Sequence, residues 1–264
     1  MLFAVVVALI AAVIAYRWLT ATSGSGLASF DDKSVSPAQM AQLYAIANNE
    51  TLAEGIGIGA AAANLPFAAN SAALSEGGKP AIVFVSSDLC PFCAITRWGL
   101  IIALMRFGNF TSLHYMTSGA DDVYPNTATF TFYNSSYSSS LVYFMSVETA
   151  TNDGAPLQAM NAVENATFNR YDLDNAASPG HGSIPFLDIA NHSAQVGASI
   201  TPEVIKGMDW AQVISMLSNS SSPVAQAIIG NANVFTAYIC ASNSSLRNTA
   251  ACGQGYVQRI ISLG

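Results

Sequence analysis

The sequence predicts an α/β fold of the α+β kind, carried behind an apolar N-terminus, and three observations predict it. Lys79 to Phe107 hands a short β-branched run over to an apolar helix. Gly182 to Leu217 reads as strand, turn, strand and amphipathic helix. Met1 to Tyr16 is uninterrupted apolar sequence, broken by Arg17-Trp18 where a water interface would lie.

Ala81 to Val85 lies between Gly77-Gly78-Lys79-Pro80 and Ser86-Ser87-Asp88, which marks a buried strand. Cys90-Pro91-Phe92-Cys93 follows. Pro91 opens a run in which Trp98, Ile101, Ile102 and Met105 recur at helical spacing until Gly108 stops it. The pair therefore sits at a helix N-terminus, where free N–H groups and the helix dipole favour a thiolate. Thiolate fraction governs disulfide exchange, so Cys90 is expected to be the exposed attacker and Cys93 the buried resolving thiol. Half of a zinc site and a static disulfide are the competing readings. Zinc needs two more ligands, and Cys240 and Cys252 do not form a second CxxC. A static disulfide is disfavoured because cysteines at a helix N-terminus are the reactive kind.

The order strand, CPFC, long helix resembles the thioredoxin fold, with a dipeptide close to that of glutaredoxins. CPFCAITRWGLIIALMRFG also resembles an archaeal family of membrane-anchored, thioredoxin-like proteins of unknown function. GSIPFLDIANHSAQVGASITPEVIKGMDWAQVISML supplies the second half of the match. The resemblance implies that Pro185, preceded by Ile184, is cis and packs against the cysteines. It also puts a buried acid six residues before the first cysteine, where this chain has Phe84. That departure leaves open how Cys93 loses its proton. His181, four residues before Pro185, is a candidate neighbour of the Cys90 thiolate, weighed against a loop histidine with no role. His114 and His192 read as strand and turn residues, and Tyr115, Tyr133, Tyr143 and Phe144 as core.

Along the chain, 1–19 reads as a transmembrane anchor of roughly 28 Å, barely enough for a bilayer. Arg17 on the outer side runs mildly against the positive-inside rule, so an upstream start or a processed, pilin-like N-terminus stays open. Residues 20–35 form a tether. Residues 36–218 form the thioredoxin-like domain, with an N-terminal helical extension and an insertion at about 118–180. Ser36-Pro37 caps a helix to Asn48 with Met40, Leu43, Tyr44 and Ala47 on one face, while Gly55 to Ala63 fits close-packed helix or loop equally. Phe110 to Met116 is the expected second core strand, and Thr127 to Asn134 with Leu141 to Val147 an inserted β-hairpin. Pro156 to Tyr171 is the expected helix on the opposite sheet face. Residues 219–264 are expected to be appended helices, Ser222-Pro223 opening one through about Ala241, with Cys240 and Cys252 spaced to close a disulfide.

Only 9% of the 264 residues are charged, and the net charge of −7 with no basic run excludes a nucleic-acid partner. Sequons stand at Asn49, Asn109, Asn134, Asn165, Asn191, Asn219 and Asn243. With four cysteines they point to an extracytoplasmic, oxidising compartment, although an Asn- and Ser-rich composition generates sequons by itself. The expected function is a membrane-anchored thiol–disulfide oxidoreductase acting on exported proteins. Its catalytic residues would be Cys90, Cys93 and Pro185, supported by Pro91, Phe92, Ile184 and His181. It would need no metal and no cofactor beyond its own redox-active disulfide. Its partners would be lipid, exported thiols and a membrane redox protein or complex. The alternatives are a glycosylated subunit of a surface filament and an accessory subunit of a membrane complex.

Overall fold

The structure, a computed structural model, describes residues 26–63, 65–69, 71–173 and 182–263. Its helices are α1 (Pro37–Ala47), α2 (Glu50–Ile56), α3 (Pro91–Leu104), α4 (Ala162–Phe168), α5 (Trp210–Leu217), α6 (Pro223–Ser242) and α7 (Gly255–Ile261). Its strands are β1 (Phe67–Ala68), β2 (Ser75–Glu76), β3 (Lys79–Ser86), β4 (Asn109–Thr117), β5 (Ala128–Ser138), β6 (Tyr143–Glu148), β7 (Phe186–Ile189) and β8 (Ser193–Val196). The architecture is mixed α/β.

β3 reads as continuous apolar sequence because both of its faces are covered. Ile82 and Phe84 face the main core with α3, α5 and α6, while Val83 and Val85 face a second cluster with Val147, Phe168, Tyr171 and Phe186. β7 pairs antiparallel with β3 from Ile82 opposite Ile189 to Val85 opposite Phe186. β8 and then β1 extend that side antiparallel. β2 enters through Gly77 and Gly78, both at positive φ as a two-residue hairpin requires. The β7–β8 turn puts Ala190 and Asn191 in the left-handed region, where the sequence places the turn at Asn191-His192. Asp188 Oδ2 holds it by accepting the Asn191 N–H at 3.0 Å.

The parallel neighbour of β3 is β6, with Ala81 opposite Tyr143 and Ser86 opposite Glu148. This corrects two expectations. Phe110 to Met116 is not the second strand of the main sheet, because β4 pairs with β5 in a separate two-stranded sheet. The expected 127–147 hairpin does not form, because its two runs join different sheets. The physical reason lies on α3. Trp98 Nε1 donates to the Ala128 carbonyl at 2.8 Å, its ring lies 4.7 Å from Phe130, and Thr129 Oγ1 donates to the Ala94 carbonyl at 2.8 Å. β5 is therefore claimed by the helix and by β4.

The expected helix at 156–171 is shorter. Asn161 caps α4 in a reciprocal box with Glu164, and a π-type turn continues over Asn169–Leu173. Ser36 caps α1 as the sequence indicates. Gly55 to Ala63 divides into the end of α2 and a 3₁₀ turn at Gly59–Ala63.

α6 also departs from expectation. It is long and apolar enough to cross a membrane, yet 89% of its most apolar window is buried inside the fold. It packs along α3, and fully buried Ile228, Ile229 and Phe235 each contribute about 1.5–3 kcal/mol of burial. It is a core helix and not an appendage.

Candidate functional site

Cys90 is the N-cap of α3, with Pro91 at the first helical position, where its missing N–H costs nothing. The cap is made by sulfur: Cys90 Sγ accepts the Cys93 backbone N–H at 3.2 Å. Cys90 is partly exposed and Cys93 fully buried, and the two are not bonded to each other. The turn before β7 closes over them. Ile184–Pro185 is a cis peptide bond, Pro185 is buried, and Cys90 Sγ lies 3.9 Å from the Ile184 carbonyl oxygen. Phe92 is 37% exposed and stands edge-on to Tyr124, and Leu89 is equally exposed beside it. Cys90 thus opens onto an apolar rim. His181 and the expected anchor, residues 1–19, lie outside the described residues.

The two sulfurs are electrostatically unequal. Cys90 is lowered to about 7, chiefly because the Cys93 thiol hydrogen-bonds to it. Backbone N–H groups of Cys93 and Phe92 and the charge of Arg97 act in the same sense, against burial. Burial raises Cys93 well above the ordinary thiol value, and the Cys90 hydrogen bond and charge add to that. Among the described residues no group of three or more His, Cys, Asp and Glu is gathered as a metal site.

Sequence reasoning missed a buried ionic cluster one turn beneath the pair. Arg97 follows Cys93 by four residues, which puts both on one face of α3. Its Nε donates to Glu148 Oε1 at 3.0 Å and its Nη2 to Glu148 Oε2 at 2.5 Å, while Nη2 lies 3.2 Å from Asp88 Oδ1. Ser86 Oγ donates to Glu148 at 2.5 Å, and Thr131 Oγ1 donates to Asp88 Oδ2 at 3.0 Å. Burial works against the Arg97 charge, but Glu148 and Asp88 outweigh it and hold the guanidinium protonated. Asp88 is pushed up to about 7, by burial first and then by Glu148. The legible signal was Arg97 itself, a charge inside an otherwise apolar helix. Phe84, at the position where the resemblance puts an acid, packs edge-on against Phe132 at 5.7 Å.

A cleft of about 900 Å³ lies at the other end of β7, lined by Phe67, Asn191, His192, Ser193 and Tyr238. It does not serve the cysteines. Of the sequons, Asn49, Asn109, Asn134, Asn165 and Asn219 are exposed and Asn243 is half-buried. Asn191 is 8% exposed, and its Nδ2 donates to the Ala72 carbonyl at 2.9 Å, so a glycan there is incompatible with this fold. Cys240 and Cys252 form a disulfide with Cα atoms 5.5 Å apart.

No curated protein and no solved structure matches this chain. A family model described as Domain of unknown function (DUF929) matches residues 66–241, a span that runs from just before β1 to the last turn of the buried helix α6. The chain belongs to that family.

Proposed function

We propose that the protein is a membrane-anchored, extracytoplasmic thiol–disulfide oxidoreductase of thioredoxin-like fold, exchanging disulfides in exported proteins through Cys90 and Cys93. The observation that carries the reading is the graded pair: a partly exposed sulfur capping a helix and lowered to about 7, beside a buried thiol held high. The Cys90 thiolate attacks a substrate disulfide and forms a mixed disulfide. Cys93 then attacks Cys90 Sγ, and the second substrate sulfur leaves as a thiolate. The reverse sequence oxidises a substrate. Pro185 and Ile184 close one side of the sulfur, while Leu89 and Phe92 offer apolar contact to an unfolded segment.

The fold reading is supported by β3 running into α3, by β6 parallel to β3, and by β7 and β8 antiparallel beyond the Pro185 turn and followed by α5. The anchor, residues 1–19, rests on the uninterrupted apolar run from Met1 to Tyr16. The outward side rests on the exposed sequons and the Cys240–Cys252 disulfide. Lipid and exported protein thiols are then the partners, with a membrane redox protein to reset the pair.

Alkylation tests the reading. Iodoacetamide should label Cys90 with a half-maximal rate near pH 7 and leave Cys93 protected in the folded protein. Equal, slow labelling of both, with the pH profile of an ordinary thiol, would sink it.

A further inference from the structure

Two carboxylates share one guanidinium beneath the cysteines. Arg97, Asp88 and Glu148 are 0%, 1% and 0% exposed. Their formal charge is −1 when both carboxylates are ionised and zero when one holds a proton. In a dry interior that single unit is strongly felt by its neighbours. The two acids are not equivalent. Glu148 takes two Arg97 hydrogen bonds, the Ser86 hydroxyl and the Phe132 N–H, whereas Asp88 has an edge contact with Arg97 and the Thr131 hydroxyl. The proton therefore belongs on Asp88.

Arg97 stands one helical turn beyond Cys93 on the same face of α3, which brings the cluster under the sulfurs, and its charge favours both thiolates. Arg97 Nη1 has no hydrogen-bond partner among the described residues. The backbone N–H of Ser87, next to Asp88, favours the Cys93 thiolate in the same sense as Arg97. Two more charges bear on this neighbourhood. Asp32 acts on Asp88 in the same sense as Glu148, and a Cys90 thiolate opposes a Cys93 thiolate. In a mixed disulfide the Cys90 charge is gone, which leaves the cluster as the field that Cys93 meets.

We propose that Asp88 is a positioning residue for Cys93, acting through Arg97: protonated, it leaves a neutral cluster beside which the Cys93 thiolate forms; ionised, it makes the cluster negative and opposes that thiolate. The inference rests on the thiol-exchange reading above. In the resolving step Cys93 releases its proton to solvent and its thiolate attacks Cys90 Sγ. The Cys90–Cys93 bond forms, the bond from Cys90 to the substrate sulfur breaks, and the substrate leaves as a thiolate. Two protein thiols are oxidised as one substrate disulfide is reduced. Below the Asp88 ionisation the thiolate population rises about tenfold per pH unit. Above it, a thiolate beside a neutral cluster forms only by exchanging the Cys93 proton for one on Asp88, so the population stops depending on pH. Asp88 is a brake that engages on the alkaline side.

The test uses the reduced full-length chain and 5,5′-dithiobis(2-nitrobenzoate). Cys90 attack releases one nitrothiobenzoate and Cys93 attack releases the second, so the two steps are read separately. The wild-type second release should rise with pH and flatten near 7. Asp88→Asn fixes the cluster neutral, so its second release should match wild type at pH 6, keep rising, and run about tenfold faster at pH 8. Superimposed profiles, or a variant slower at every pH, would overturn the proposal. If Asp88→Asn does not fold, Thr131→Val decides: losing the hydrogen bond to ionised Asp88 should move the flattening to higher pH, and an unmoved profile overturns the proposal equally. A first release no faster than that of an ordinary thiol at pH 7 refutes the Cys90 reading instead, and the second release still reports on Asp88.

Discussion

The chain carries two cysteine pairs, and their surroundings differ in every respect that sets sulfur chemistry. Cys90 and Cys93 lie at a helix N-terminus, unbonded and unequally exposed, over a buried arginine. Cys240 and Cys252 are 4% and 1% exposed, bonded to each other, and sit in the main apolar core between α6 and α7. The difference teaches that reactivity here is a property of placement. Helix N–H groups and a fixed cation make a thiolate, whereas apolar packing makes a clamp.

The strongest way to break the contrast is to remove the cation. Arg97→Ala strands Asp88 and Glu148 in the core, and breaking a buried pair from one side costs about 3–5 kcal/mol. Denaturant unfolding should show that loss, and Cys90 labelling should move to higher pH in whatever protein remains folded. A loss below about 1 kcal/mol would mean that water reaches the cluster.

The sheet that carries the Pro185 turn also holds a group whose ionisation makes stability depend on pH. Asp188, three residues beyond Pro185, is fully buried in β7 and pushed up to about 7 by burial, against the Asn191 N–H and the charge of Arg170. Between its unfolded value and 7 the native state holds a proton that the unfolded chain has lost. Its stability contribution is therefore fully present below about 4 and disappears as pH rises through 7. About three pKa units correspond to roughly 4 kcal/mol across that window. Thermal midpoints of Asp188→Asn between pH 4 and 8 should lose much of the alkaline decline shown by wild type. The remainder belongs to Asp88 and Asp31, whose values burial raises in the same sense.

Replacing both Cys240 and Cys252 with Ala should cost about 3 kcal/mol, the chain-entropy value for so short a ring. The pH profile of Cys90 labelling should stay where it was, because neither residue neighbours Arg97 or the α3 N-terminus. A peptide map of the native protein linking Cys240 to Cys90 or Cys93 would erase the distinction between the pairs.

Much of this was legible in sequence where the signal is local. Gly77-Gly78 bounds the strand that follows, Ser36 and Pro91 mark helix starts, and the run from Ala81 to Val85 reads as a buried strand. Strand pairing was not legible. Phe110 to Met116, Thr127 to Asn134 and Leu141 to Val147 carry similar alternation, and alternation states which face is buried but not which neighbour buries it. Trp98 and Thr129, through bonds to backbone on the facing element, decide that choice. The ionic cluster was missed for the same reason. Asp88, Arg97 and Glu148 are brought together by the parallel β3–β6 register, which puts Glu148 opposite Ser86. Only the lone arginine in an apolar helix hinted that buried acids must exist elsewhere.

The smallest expected effect probes one close approach between α3 and α6. Gly99 lies two residues beyond Arg97 on α3, and a Cβ built there would stand 2.6 Å from Oδ1 of Asn231 on α6, the helix that ends near Cys240. Both polar atoms of the Asn231 side chain are buried without hydrogen-bond partners among the described residues. The asparagine is thus held by packing, and it must move if Gly99 becomes Ala. Overpacking of this kind costs about 1–3 kcal/mol, while Ala regains about 1 kcal/mol of helix propensity over Gly. Gly99→Ala should therefore destabilise by about 1 kcal/mol in urea unfolding. Asn231→Ala removes the obstructing amide, so the double variant should recover that loss and show a favourable coupling in a double-mutant cycle. Additive effects would mean that α3 and α6 do not meet at this point, and that the reactive and the clamped pair belong to regions that do not sense one another.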